Sequence, residues 1–230
     1  MMSRTKKSRG IVSSASFWAY DQIKQKILQN RLDSKKSLDE KAFSQEFKIS
    51  RTPIREALIM LEKEGLVSRE GGRGFYIRQF RMKDMQDVYE FRNLVEMAAS
   101  KLILSQISEE KIGTLTQIQN QLKSLTRVGD PAEILVKSFE FHSKFIEASE
   151  NTMIIEAMKN CYEKIILISW SAKEMAGSVQ SLKEHEEILS ALRKRDLKKL
   201  EKTIHNHNLK GRDRAFGILR NNAEKWYFAP

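Results

Sequence analysis

Hydrophobic positions recur at helical spacing along most of the chain and at strand spacing in one short stretch. Phe17, Tyr20, Ile23 and Ile27 mark one face of a first helix. Ser37-Leu38-Asp39-Glu40 reads as a capping box that opens a second helix, running to about Phe47, with Lys48 to Arg51 as the turn after it. Thr52 before Pro53 is a strong helix entry. A threonine hydroxyl can take up a free amide of the first turn, and proline at the first helical position loses no donor it needed. This third helix is expected to begin at Pro53, to turn Ile54, Leu58 and Leu61 inward, and to close at Gly65. Leu66, Val67 and Ser68 then begin an extended run that resumes as Phe75, Tyr76 and Ile77 after Glu70-Gly71-Gly72-Arg73-Gly74, which predicts a glycine-tipped hairpin.

Beyond Arg78 no strand pattern returns. Helices are expected over residues 82–106, 108–127, 131–149, 151–176, 179–194 and 196–221. Gly129-Asp130-Pro131 is the clearest break, Asn151 and Gly177 are expected caps or turns, and Asp196 caps the last helix. The fold class is therefore mainly α. The expected domains are a winged helix-turn-helix over 15–78, a linker over 79–83, and an all-helical bundle of about six helices over 84–222. Residues 1–14 form a basic, serine-containing tail without apolar periodicity, expected to be disordered and able to touch a nucleic-acid backbone.

Charge sharpens this division. The formal net charge is +11, and residues 1–80 hold 17 Lys/Arg against 9 Asp/Glu. Such an excess attracts nucleic acid or an anionic membrane, but no apolar run approaches spanning length and no signal-peptide pattern precedes Phe17. A cytoplasmic location is expected. Cys161, alone of its kind, excludes an intramolecular disulfide and sits in an apolar helix as a small hydrophobe. With Ile54, Leu58 and Leu61 inward, Arg51, Thr52 and Arg55 point outward at the amino-terminal end of the third helix, the end that such folds push into the major groove.

The four histidines are informative when set against helical periodicity. His142 falls in line with Leu135, Ser138, Phe145 and Ser149; His185 with Leu182, Leu189 and Leu192; His207 with Leu200, Ile204 and Gly211. His205 is turned toward the polar side with Glu201 and Asn208. One histidine on an apolar face is ordinarily a hydrogen-bonded core residue, whereas three entering one core from three helices are a way to hold zinc, nickel or a similar ion.

The segment SRTPIREALIMLEKEGLV followed by GGRGFYI resembles the winged helix of the GntR family of bacterial transcriptional regulators. The helical remainder resembles the FCD effector-binding domain of its FadR-type subfamily, through EFRNLVEMAASKL with Arg92 and Glu96, and through EHEEILSALRKRD with a histidine 22 residues after His185. The resemblance implies that Ser50, Arg51, Thr52 and Arg55, with Arg73 and Gly74 at the wing tip, meet DNA, and that His142, His185 and His207 surround a divalent metal such as zinc, nickel or manganese. The FCD pattern commonly has aspartate four residues before the first histidine, where this chain has Ser138, a neutral hydroxyl and a poor ligand for such an ion. Glu140, two residues from His142, falls on another face.

The resemblance further implies a homodimer on a two-fold symmetric operator and a small carboxylate effector in the bundle, for which Arg92 is the candidate anion partner. The sequence therefore predicts a ligand-responsive, sequence-specific regulator, a repressor of genes for metabolism of a small organic acid, and no enzyme. The alternative is a metal-dependent hydrolase or oxygenase using the three histidines, which requires a general base or nucleophile beside the metal. No such residue shares their helical register.

Overall fold

The computed structural model describes residues 14–69, 71, 74–172 and 179–221. The chain divides into two compact units, Met1–Ile27 with Arg31–Arg78, and Leu28–Asn30 with Gln79–Pro230. Arg73, Gly177 and all but the last residue of the expected basic tail lie outside the described residues.

The first unit runs α1 (Ser14–Leu28), α2 (Glu40–Phe47), α3 (Arg51–Lys63), β1 (Val67–Arg69) and β2 (Phe75–Ile77). Its core is Ala19, Ile23, Leu38, Phe43, Ile54, Ala57, Leu58, Leu61, Leu66, Val67, Phe75 and Ile77, all buried. The inward face of α1 keeps the expected Ile23 and Ile27 but not Phe17. Phe17 is 54% exposed, and the buried line runs through Ser16, Ala19, Ile23 and Ile27. The reason is a polar seam to α3. Ser16 donates to Glu56, Tyr20 donates to Glu64 Oε1 at 2.6 Å, and Lys24 Nζ lies 2.9 Å from Glu64 Oε2. Three residues spaced by four on α1 thus turn toward α3, which rotates Phe17 outward.

Ser37 does not open α2. Asp39 is its N-cap, accepting from the Lys41 amide at 2.7 Å, because Leu38 is committed to a β-bridge: its N–H donates to the Phe75 carbonyl at 2.7 Å. The hairpin pairs Val67 with Ile77, Ser68 with Tyr76 and Arg69 with Phe75. Arg69 also stacks its guanidinium 4.7 Å from the Phe75 ring centroid while pairing with Glu62 at 3.0 Å.

The second unit is α4 (Met82–Gln106), α5 (Glu109–Val128), α6 (Pro131–Glu147), α7 (Thr152–Ala172), α8 (Val179–Arg193) and α9 (Leu197–Asn221). The first two helical residues, Met82 and Lys83, fall within the stretch read as linker. Ser108 caps α5 through the Lys111 amide, Asp130 caps α6 with Pro131 at its first turn, and Asp196 takes up the Lys199 amide at α9. Helix α4 packs on α9, α7 and α6; α5 on α6 and α8; α8 on α9. Phe141 and Phe145 on α6 are fully buried at the centre, and their helix carries His142 between them. No described helix is long and apolar enough to cross a membrane.

Candidate functional sites

Helix α3 begins two residues before the expected Pro53. Ser50 is its N-cap in extended conformation, with no capping hydrogen bond from its side chain, and Arg51 and Thr52 form the first turn. Pro53 still loses nothing, since amides of the first turn have no intrahelical acceptor. Burial of Pro53, Ile54, Ala57, Leu58 and Leu61 on one side leaves Ser50, Arg51, Thr52 and Arg55 exposed on the other. Arg55 Nη1 approaches Glu40 no closer than 4.0 Å, a weak, solvated contact that leaves the guanidinium available. Free amides and the helix dipole add positive potential at the same end, which suits phosphate. Lys48, with φ of 55°, makes the sharp turn between α2 and α3, secured where Ser44 Oγ donates to the Ile49 carbonyl at 2.6 Å. Gly74 adopts φ of 132°, which a larger residue would take only under strain.

In the second unit His142, His185 and His207 meet, all buried. The Nε2 atom of His142 lies 3.2 Å from Nε2 of His185 and 3.1 Å from Nε2 of His207. Their tautomers follow from their neighbours. Gln119 donates its amide to the Leu182 carbonyl at 2.8 Å, which turns its oxygen to His185 Nδ1 at 3.2 Å. Glu184 Oε2 lies 2.9 Å from His207 Nδ1. Both Nδ1 atoms therefore carry the proton, and both Nε2 atoms present lone pairs toward His142.

Burial holds all three imidazoles below the ordinary histidine range, and the Arg92 guanidinium depresses them further. They are neutral at neutral pH. Burial opposes ionisation of Glu184, yet hydrogen bonds from His207, Gln180 and Lys210 outweigh it and pull its carboxyl down to about 2.

Arg92 enters from α4, with Nη2 3.1 Å from Nδ1 and 3.0 Å from Nε2 of His142 and Nε 3.0 Å from Glu96 Oε1. Glu96 also receives Tyr162 Oη at 2.6 Å and Asn208 Nδ2 at 2.8 Å, so this buried carboxylate is saturated. Asn208 is thus buried and inward, not on the polar side, while His205 is half-buried and meets Asn93 at 3.2 Å. The Asn208 Oδ1 atom is a buried acceptor with no donor among the described residues. Burial pushes the Cys161 thiol up to about 12, consistent with an inert core residue.

The FCD domain family matches residues 87–210, and the gntR family of bacterial regulatory proteins matches residues 18–77. The chain belongs to the GntR family. Its pairing of a GntR helix-turn-helix with an FCD domain is the FadR-type architecture, and it is a transcriptional regulator. It is 25% identical over 181 residues to the uncharacterized HTH-type transcriptional regulator YdhC of Bacillus subtilis (strain 168), covering 77% of this chain and 80% of that one. It is 24% identical over 195 residues to the gluconate operon transcriptional repressor of the same organism, covering 82% and 79%. The fold is that of Escherichia coli McbR/YncC, with a TM-score of 0.78 at 15% identity over 92% of this chain and 99% of the other.

FCD domains often bind metal, and the donor set of this GntR regulator fits one. Two nitrogens bound at roughly 2.0–2.1 Å to one ion lie roughly 2.8–3.4 Å apart, which brackets the observed 3.1 and 3.2 Å. Two lone pairs converge on His142, and a single N–H there satisfies at most one of them, a deficit that a cation fills. Sequence reading missed Gln119, Glu184 and Asn208. Each lies beside an apolar stripe: Gln119 is four residues after Leu115, and Asn208 four after Ile204, so a polar residue in stripe register was the available signal.

Proposed function

We propose that this regulator is a cytoplasmic homodimeric repressor that releases a two-fold symmetric operator when a small carboxylate binds in its FCD domain, and that its genes serve the metabolism of an organic acid. The observation that carries the effector half is the junction of three neutral imidazoles with the buried Arg92 guanidinium, a centre built for a cation and an anion together. The similarity to a gluconate operon repressor supports an acid as the signal. On this reading Ser50, Arg51, Thr52, Arg55, Arg73 and Gly74 meet DNA. His142, His185 and His207 hold zinc, nickel or manganese, Arg92 meets the effector, and the domains divide at 79–83.

An enzyme reading lacks support, because the carboxylates nearest the histidines are engaged: Glu96 by Arg92, Tyr162 and Asn208, Glu184 by His207 and Lys210. Neither is free to act as a general base.

Gel-shift titration tests the DNA half. Arg55→Ala weakens binding to the cognate operator by about 1–3 kcal/mol, while Lys123→Ala, at a partly exposed side chain of α5 paired with Glu186, leaves it unchanged. Equal losses from both changes would reject sequence-specific reading by α3.

A further inference from the structure

Helix α5 turns Ile112, Leu115, Ile118 and Leu122 into the helical core, and α6 and α8 pack on it. Its outer face is uncharged along most of its length: between Glu110 and Arg127 the exposed residues are Gly113, Thr114, Gln117, Asn120, Gln121 and Ser124. Lys123, in the same stretch, turns aside to Glu186 on α8. In a chain that is 31% charged, a helix face left to water is expected to carry lysine and glutamate. Gly113, Gln117, Asn120 and Ser124 line a groove of about 1050 Å³ together with Lys137 of α6 and Arg193 of α8. Both cations are engaged, Lys137 by Glu140 at 2.6 Å and Arg193 by the Thr116 hydroxyl at 2.7 Å, so neither is free for a small anion. Gly113 itself has no task within its own chain. Glycine inside a helix is destabilising relative to alanine, yet its φ is not positive and a methyl group there would meet nothing within 4 Å.

The outer residues also form a row. Glu110, Gly113, Gln117, Asn120, Ser124 and Arg127 follow one another at intervals of three, four, three, four and three residues, the spacing along which one helix meets another. The row is complementary to itself. Laid antiparallel on a copy about a point between Gln117 and Asn120, it sets Glu110 against Arg127, Gly113 against Ser124 and Gln117 against Asn120, each twice. Opposite charges then meet at both ends, small side chains meet where the two backbones come close, and amides, each with donor and acceptor, meet at the centre. Neither Glu110 nor Arg127 forms an ion pair with a described residue of its own chain. We infer that α5 is a self-contact of this chain: a second copy lays its own α5 antiparallel in the groove, about a two-fold axis. An uncharged polar centre has the character of a reversible interface, since obligate ones are apolar. The contact is therefore additional to the homodimer proposed above, and joins homodimers to one another.

Sedimentation velocity and thiol cross-linking of the full-length protein test this. Wild type is expected to shift from the mass of two chains toward a multiple of it as concentration rises. Glu110→Arg and Arg127→Glu each set like charges together at both ends of the row, and each is expected to raise the dissociation constant of the larger assembly about tenfold. The two changes together restore opposite charges and with them the wild-type constant, whereas a role in helix stability alone would make the double variant worse than either single one. For the register, Gly113→Cys and Ser124→Cys are prepared separately on a Cys161→Ser background and mixed with oxidised glutathione. The mixture is expected to give a disulfide-linked pair of chains, and neither variant alone to do so, because like positions lie about 16 Å apart along the axis, beyond the reach of a disulfide. Cross-linking that is absent from the mixture, or equal in the single variants, overturns the inference, as does a double charge variant that assembles no better than the single ones. Should Cys161→Ser fail to fold, the charge variants decide alone. Wild type that sediments as two chains at every concentration overturns the inference while the homodimer reading stands; wild type that sediments as one chain removes both.

Discussion

At the scale of single residues, this site is governed by side chains that never face it directly. Gln119 is held by the Leu182 carbonyl and so must offer oxygen to His185, which fixes the proton on Nδ1 and frees Nε2. Such outer partners typically carry about 10- to 100-fold in metal affinity. Gln119→Met keeps the volume, removes the acceptor, and should lower affinity for cobalt by about that factor, whereas His205→Ala, at a half-buried ring that meets Asn93, should not. A chromogenic-chelator competition measures both, and unchanged affinity in Gln119→Met would mean that the tautomer is set elsewhere. The three histidines were legible because each repeats an apolar stripe from a different helix. Gln119 and Asn208 were not, since an amide in a stripe is indistinguishable by type from one at a helix surface, and only the partners Leu182 and Glu96 reveal its task.

Elements were legible where two signals agreed. Pro131 after Asp130 fixed the start of α6, and periodicity alone placed α4 over Met82–Gln106. The starts of α2 and α3 shifted because local capping chemistry competed with long-range demands. Ser37 had the capping-box spacing, but pairing of Leu38 with Phe75 forced the helix to begin after Asp39. On α1 the expected face held Tyr20, Ile23 and Ile27 but misplaced Phe17, because Ser16 and Lys24 look like a solvated edge and instead join Tyr20 in the seam to Glu56 and Glu64. That seam has a pH signature. Burial, with Glu64 adding to it, raises the Tyr20 hydroxyl from about 10 to about 12. A raised folded value means that the contribution of Tyr20 is fully present below pH about 10 and is lost as pH climbs through about 12. Urea unfolding of wild type against Tyr20→Phe should therefore show a stability difference that is constant up to pH about 10 and shrinks above it. A difference independent of pH over that range would show that Tyr20 ionises alike in folded and unfolded chains.

At the scale of the whole molecule, α3 and the histidine centre belong to different compact units of one chain. Helix α4 is the first element after the hairpin, and it bears Arg92 and Glu96, the residues that bind the histidine centre to α7 and α9 through Tyr162 and Asn208. Arg92 lies ten residues into this helix, about 15 Å along its axis from the first turn. If an anion draws the guanidinium off His142, the pull acts on the middle of a stiff rod 25 residues long. A tilt of about 5° there displaces the amino-terminal end by roughly 1.3 Å, the size of helix shift that switching proteins use. Spin labels at Lys83 and Lys111, both on helix surfaces, on a Cys161→Ser background would register it as a changed distance distribution when cobalt and acetate are added together. An unchanged distribution would mean that α4 is clamped. Should the distribution change, Arg92 would be the point at which a lever is pulled, and a buried ion pair that reads as mere packing would convert a chemical signal into movement.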